Sequence, residues 1–202
     1  MKLDLSKHLD KVRNTVTDVE QIVSSHKYPD DKRTVFVMGL LATMIQYHQS
    51  VLRLIKTECV RSSYALTRDI VRDMRYGLWI NSRATEEQIL RIENDGEFPL
   101  SFREMTREIE AAYGADPFFE GLKDRWEPRL KKYYLSSVVQ LGRWEIDVTS
   151  GLDSDDEEIR DVLTIATLCI VTLAAKFLDG QKYSADSKQI EALAGDYASR
   201  TS

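Results

Sequence analysis

Four arginines stand in one short stretch of this chain, RSSYALTRDIVRDMRYGLW, which covers residues 61–79 and is otherwise rich in apolar side chains. On a helix that turns by about 100° per residue, Arg61, Arg68, Arg72 and Arg75 fall within about 60° of one another. Guanidinium groups bind phosphates and carboxylates through paired hydrogen bonds. We call these four residues the arginine face, and their spacing predicts a binding site for an anionic ligand.

Trp79 lies on the same line of the predicted helix, one turn beyond the last of these arginines. Stacking of an arginine on Trp79 or Tyr76 would hold a binding groove in shape. The arginines are also compatible with a solvated or carboxylate-paired stripe, and with a dimer interface. Asp69 is placed to pair with Arg72, whereas the adjacent Asp73 is not expected to face it.

Residues for metal or nucleophilic chemistry are sparse. His8, His26 and His48 are never within four positions of one another, and Cys59 and Cys169 do not complete a zinc ligand set. The sequence carries no nucleophile signature and no glycine-rich phosphate loop. The acidic run at 153–158 lacks the pattern of a calcium loop and suits the positive end of a following helix. We therefore expect no metal and no cofactor.

The positions of arginine and histidine argue against a helical ribonuclease. Ribonucleases resembling the HEPN superfamily place an arginine four to six residues before a histidine. The nearest upstream arginine to His26 is Arg13, and the nearest to His48 is Arg33, so both are too distant. We expect no histidine-centred catalytic site, and we interpret His48 as a structural residue.

The stretch ALTRDIVRDMRYGLW resembles the opening of the central helix in an uncharacterised bacterial all-helical family, the domain-of-unknown-function family numbered 6988. That family's pattern is Ala-Leu-x-Arg-x-x-x-Glu-x-x-x-Arg-Gly-x-Trp. The matching positions are Ala65, Leu66, Arg68, Gly77 and Trp79. The family's glutamate is replaced by Arg72, and its second arginine by Tyr76. The resemblance covers residues from about 35 to 178.

A second family motif, Tyr-Thr-His-Gly-Gly followed by Gln and Arg, resembles the segment KKYYLSSVVQLGRW. The resemblance implies that Gln140 and Arg143 join Arg68, Arg72, Arg75 and Trp79 in the ligand site. The family's histidine is replaced by Leu135, which has no ionisable proton, and Arg72 holds a fixed charge. If relatives use that histidine and glutamate for acid–base chemistry, this chain does not.

The elements that must position these residues are helices, because apolar residues recur at three- and four-residue steps and no stretch sustains a two-residue alternation. Predicted helices cover 5–25, 32–57, 64–79, 84–92, 101–114, 157–179 and 186–199, with a joint at 59–63 and helical pieces in 117–146. Thr85 with Gln88 and Ser101 with Glu104 have the spacing of capping boxes, and Gly114 is a stop signal.

The run VLTIATLCIVTLAA, residues 162–175, is the longest uncharged segment. It is shorter than the roughly twenty residues that span a bilayer. We therefore predict that the helix at 157–179 is the buried centre of the molecule, with 64–79 packed against it. The predicted fold is all-α, a single domain over 1–202 built as a compact bundle of six to eight helices.

Composition narrows the class of protein. The chain has 202 residues, 43% hydrophobic and 30% charged, with a net charge of −5, which is typical of a soluble domain and argues against broad binding to duplex DNA or anionic membranes. The first residues do not resemble a signal peptide, and we expect reduced thiols at both cysteines. These features predict a cytoplasmic protein.

These observations favour a non-enzymatic binding or regulatory protein. The predicted partners are a nucleotide, a short RNA or an acidic protein segment. Homodimerisation is also predicted, from the aromatic residues Trp126, Tyr133, Tyr134 and Trp144. The alternative is a nuclease-like or other bacterial defence or toxin–antitoxin effector whose site is not visible in the sequence.

Overall fold

The computed structural model describes residues 3–114 and 156–198. This part of the chain contains seven helices and no strand, which confirms the predicted all-α class and falls within the predicted number of helices. The helices are α1 (Leu3–Ser24), α2 (Lys32–Lys56), α3 (Val60–Ser82), α4 (Glu86–Asp95), α5 (Phe102–Tyr113), α6 (Asp156–Gly180) and α7 (Ser184–Ala198).

Both predicted capping boxes are present. The backbone N–H of Gln88 donates to the Thr85 hydroxyl at 3.2 Å, and the Thr85 N–H donates back to the Gln88 side chain at 2.8 Å. Ser101 and Glu104 make the same reciprocal pair at the start of α5, and Gly114 ends that helix with a positive φ of 73°. The helix starts are therefore encoded in short sequence stretches, because each cap satisfies backbone donors that the helix cannot satisfy itself.

The joint between α2 and α3 is shorter than predicted. The third helix begins at Val60, within the segment 59–63 that we expected to form a kink or joint. The reversal takes place earlier, at Glu58, where φ is 61°. The Ser63 hydroxyl donates to the Val60 carbonyl, and Thr67 donates to the Ser63 carbonyl at 2.9 Å. These hydroxyls bond back to carbonyls of the preceding turn, an arrangement that a helical backbone at Ser63 and Thr67 can accommodate.

Helix α6 lies at the centre of the described core, as predicted. Leu163, Ile170 and Phe177 are fully excluded from solvent along its length, and α1, α2, α3 and α7 pack on it. Helix α3 approaches α6 closely at Gly77, where an added Cβ would lie 2.7 Å from the methyl carbons of Leu173. Glycine therefore lets α3 pack closer to α6 than a larger residue would allow.

Two helices of the described chain are long and apolar enough to cross a membrane by length and composition alone. In α6, 78% of the most apolar window is buried by the rest of the molecule, and in α2 the corresponding share is 39%. The core helices of soluble proteins can have the same length and composition, so these two features do not indicate a membrane protein. The cytoplasmic location stays a prediction.

Several predicted residues lie outside the described part of the chain. They are Trp126, Tyr133, Tyr134, Leu135, Gln140, Arg143 and Trp144, together with the helical pieces predicted in 117–146 and the first residues of the acidic run.

Candidate functional site

The arginine face lies on α3, but its members have different environments. Arg68 is exposed, the Arg72 side chain is 42% exposed, and Arg75 is buried at 5% exposure. The side chain of Arg61 lies outside the described part of the structure. The residues lie on one side of the helix by sequence spacing, yet the neighbouring helices cover that side unevenly.

Arg72 is paired within its own helix. Its Nη1 lies 2.8 Å from Asp69 Oδ1, which confirms the predicted pair. The expectation for Asp73 was wrong, because Arg72 Nε and Nη2 each lie 3.0 Å from Asp73 Oδ1. The long arginine side chain folds back to reach this carboxylate, which is only 4% exposed. Burial raises the pKa of Asp73, and the hydrogen bond from Arg72 opposes that rise.

Trp79 is fully buried, and its indole N–H donates to Glu108 on α5 at 2.6 Å. The expected stacking of an arginine on Trp79 is not seen among the described residues. Arg75 instead contacts Phe102, with its guanidinium carbon 4.2 Å from the centroid of the Phe102 ring. Trp79 thus packs in the core and offers no ring face to a ligand in this structure. The reason is tertiary: α5 packs against this part of α3.

Tyr76 also makes an aromatic contact that its sequence neighbourhood does not predict. Its ring stacks on Phe98 with a centroid distance of 3.6 Å and an interplanar angle of 9°. Among the three members of the arginine face whose side chains the structure describes, Arg68 and Arg72 reach solvent. With Asp69 and Asp73, these residues bring two positive and two negative charges, so the local charge is close to balanced.

A second candidate site lies between α1 and α2, where the structure forms a cleft of about 260 Å³. Val16 from α1 and Leu52 from α2 are buried apolar residues of its lining. His48, which is fully buried, also lines it. The cleft thus combines apolar lining with one buried polar ring.

Charged side chains line the same cleft. Arg13 and Glu20 come from α1, and Arg53 and Lys56 come from α2. Arg13 Nη1 lies 3.1 Å from Asp10 Oδ1, while its Nη2 is buried and meets no hydrogen-bond partner in the described chain. The charged lining residues therefore bring three positive charges against one negative charge, and Asp10, which is paired with Arg13, adds a second negative charge beside the cleft.

His48 is anchored from behind by the central helix. Its Nε2 lies 3.1 Å from the Thr167 hydroxyl oxygen on α6, and its Nδ1 is buried with no partner in the described chain. Burial lowers the pKa of His48 from 6.5 to about 4, so the ring is neutral at pH 7. The interpretation of His48 as a structural residue agrees with this bond, but the ring also keeps an unused nitrogen.

The sequence pattern alone did not reveal this cleft. Its signal is present as spacing, since Arg13, Val16 and Glu20 recur at three- and four-residue steps and so share one face of α1. His48, Leu52 and Lys56 share a face of α2 for the same reason. Nothing in either segment shows that the two faces meet, so only the packed helices define the site.

Among residues 3–114 and 156–198, no three His, Cys, Asp or Glu side chains come together as metal ligands. Both cysteines are free thiols, Cys59 exposed and Cys169 buried. Comparisons of the chain with protein-family models, curated proteins and solved structures gave no match. The resemblance to the family numbered 6988 stays a prediction.

Proposed function

We propose that this protein is a non-enzymatic binding protein for a small organic anion, held in the cleft between α1 and α2. The observation that carries the proposal is the excess of positive charge at the cleft: Arg13, Arg53 and Lys56 against Glu20 and the Asp10 that pairs with Arg13. Cations gathered at a concave surface raise the local concentration of anions and bind them. The buried, unused Nη2 of Arg13 offers a hydrogen-bond donor suited to a carboxylate or phosphate oxygen.

The size of the cleft restricts the ligand. A volume of 260 Å³ corresponds to about nine waters at roughly 30 Å³ each, and it is below the usual range of about 300–1,000 Å³ for sites that enclose drug-sized ligands. A small carboxylic acid or phosphate monoester fits such a space. A nucleotide or an RNA segment would place only its phosphate there, so the cleft favours the smaller ligands.

A second candidate is an acidic protein segment bound by the exposed part of the arginine face. The observation that favours it is the position of Arg68 and Arg72 one turn apart on α3, with the Arg72 guanidinium held in a fixed orientation by Asp69 and Asp73. The same two carboxylates compete with an acidic protein segment for the Arg72 guanidinium. The cleft is therefore the stronger candidate.

The cleft proposal is tested by thermal unfolding with succinate or inorganic phosphate, compared with sodium chloride at the same ionic strength. At a hundred times its dissociation constant a ligand adds about 2.7 kcal/mol, which raises the Tm of a chain of this size by roughly 5–10 °C. We expect this rise in the wild type and its loss in the double variant Arg53→Glu/Lys56→Glu.

Arg91→Glu is the matched control, because Arg91 is an exposed arginine on α4 whose partner Asp95 is also exposed. The control should keep the full stabilisation. An equal rise in the control and the double variant, or no rise beyond that given by sodium chloride, contradicts the cleft as the site.

A further inference from the structure

The hydrogen bonds around His48 determine which of its ring nitrogens carries the proton. The Thr167 hydroxyl donates to the Leu163 carbonyl at 2.8 Å, so its single hydrogen is already used. The contact between Thr167 Oγ1 and His48 Nε2 at 3.1 Å therefore requires Nε2–H as the donor. A neutral ring protonated at Nε2 has a bare lone pair at Nδ1.

That lone pair belongs to a fully buried side chain that lines the cleft. No group of the described chain donates to it. A buried acceptor without a donor is unfavourable, and the cost is removed when a bound molecule supplies an N–H or O–H. Two residues of the cleft lining thus each carry one buried and unsatisfied polar atom, the acceptor Nδ1 of His48 and the donor Nη2 of Arg13.

We propose that the ligand of this cleft is a small hydroxy acid or hydroxyl-bearing phosphate ester, whose anionic group binds the cations at the cleft and whose hydroxyl donates to His48 Nδ1. This inference rests on the proposed function and names the class of ligand. A neutral hydroxyl suits the site better than an ammonium group, because Arg13, Arg53 and Lys56 repel a further positive charge.

The discriminating experiment is titration calorimetry with malate and succinate, two dicarboxylates that differ by one hydroxyl. We expect at least one malate enantiomer to bind the wild type about tenfold more tightly than succinate, which corresponds to about 1.4 kcal/mol. Equal affinity for malate and succinate overturns the hydroxyl inference and leaves the anion site in place. No binding of either acid overturns both proposals.

Two variants separate the two ring nitrogens. His48→Gln keeps an amide donor for Thr167 but lacks the acceptor near the Nδ1 position, whereas His48→Asn places its carbonyl oxygen near that position. We expect His48→Gln to bind malate and succinate with about equal affinity. We expect His48→Asn to keep the tighter binding of malate. A preference that persists in both variants overturns the role of Nδ1.

A measurement on the wild-type protein keeps the inference testable if either variant fails to fold. Long-range ¹H–¹⁵N spectra of the histidine rings at pH 7 report which nitrogen is protonated. We expect His48 protonated at Nε2, with the Nδ1 resonance shifting when malate is added and shifting little with succinate. A ring protonated at Nδ1 overturns the inference, because that nitrogen would then be a donor.

Discussion

Because His48 is buried, its ring stays neutral near pH 7 and acts there only as a hydrogen-bonding group. Its pKa is lowered to about 4 because the charged ring would lose its solvation. Cys169 shows the same effect with the opposite direction, since burial raises the pKa of its thiol to about 12. Both residues are therefore neutral at pH 7, and His48 adds no charge to the cleft.

The His48 pKa predicts how stability depends on pH. Between pH 7 and pH 5 the unfolded chain binds a proton at His48 and the folded chain does not, so the free energy of unfolding falls as the pH falls. The expected loss from this residue is about 2 kcal/mol over that interval. Urea unfolding of the wild type and of His48→Gln at pH 7, 6 and 5 measures it.

The variant is the control for all other titrating groups, because they contribute equally to both proteins. Asp73 is the important one, since its raised pKa shifts stability with pH in the opposite sense to His48. We expect the His48→Gln variant to lose less stability than the wild type over this interval. Parallel pH profiles for the two proteins would contradict the lowered pKa.

At the scale of the element, α3 shows why spacing alone does not define a surface. Its arginines follow one line of the helix, but α5 covers the part that carries Arg75 and Trp79. Arg68 and Arg72 lie closer to the start of the helix, where they reach solvent. The arginine face is therefore partly a packing surface and partly an exposed one.

The pairing on α3 predicts different effects of two similar substitutions. Arg72→Glu puts a third carboxylate beside Asp69 and the buried Asp73, so we expect it to destabilise the protein by roughly 1–3 kcal/mol. Arg68 is exposed, and ion pairs of exposed side chains contribute at most about 1 kcal/mol, so we expect Arg68→Glu to cost less stability than Arg72→Glu. Urea unfolding measures both.

The same two variants test the second candidate function. Loss of binding to an acidic peptide in Arg68→Glu, with unchanged stability, would favour the arginine face as a protein-binding surface. Loss of peptide binding in Arg72→Glu alone would be explained by the broken ion pairs of Arg72 with Asp69 and Asp73. Equal stability of the two variants would show that the Arg72 pairs contribute little to the fold.

At the scale of the whole molecule, stability depends on α6, which contributes buried residues along its length and contacts four other helices. Association as a homodimer stays a prediction, since the aromatic residues that suggested it lie outside the described part of the chain. The central helix provides the more direct test of the architecture.

Ile170→Asp should abolish soluble folding, because it places an unpaired charge at a site with no solvent exposure, at a cost of several kcal/mol. Leu168→Asp is the matched comparison on the same helix, since Leu168 is only partly buried, and we expect it to remain folded with reduced stability. Circular dichroism and soluble yield report both outcomes. A folded Ile170→Asp protein with wild-type melting would contradict the central position of α6.

Apart from the start of α3, the sequence by itself determined the described helices, the two capping boxes and the central helix, because these depend on contiguous residues: apolar spacing, the caps at Thr85 and Ser101 and the uncharged run of α6. The Asp69–Arg72 pair was equally local. Tertiary structure alone decided which arginines are exposed, since that depends on where α5 packs. It also decided the cleft, which needs α1 and α2 to meet, and the protonated nitrogen of His48, whose partner Thr167 is 119 residues away along the chain.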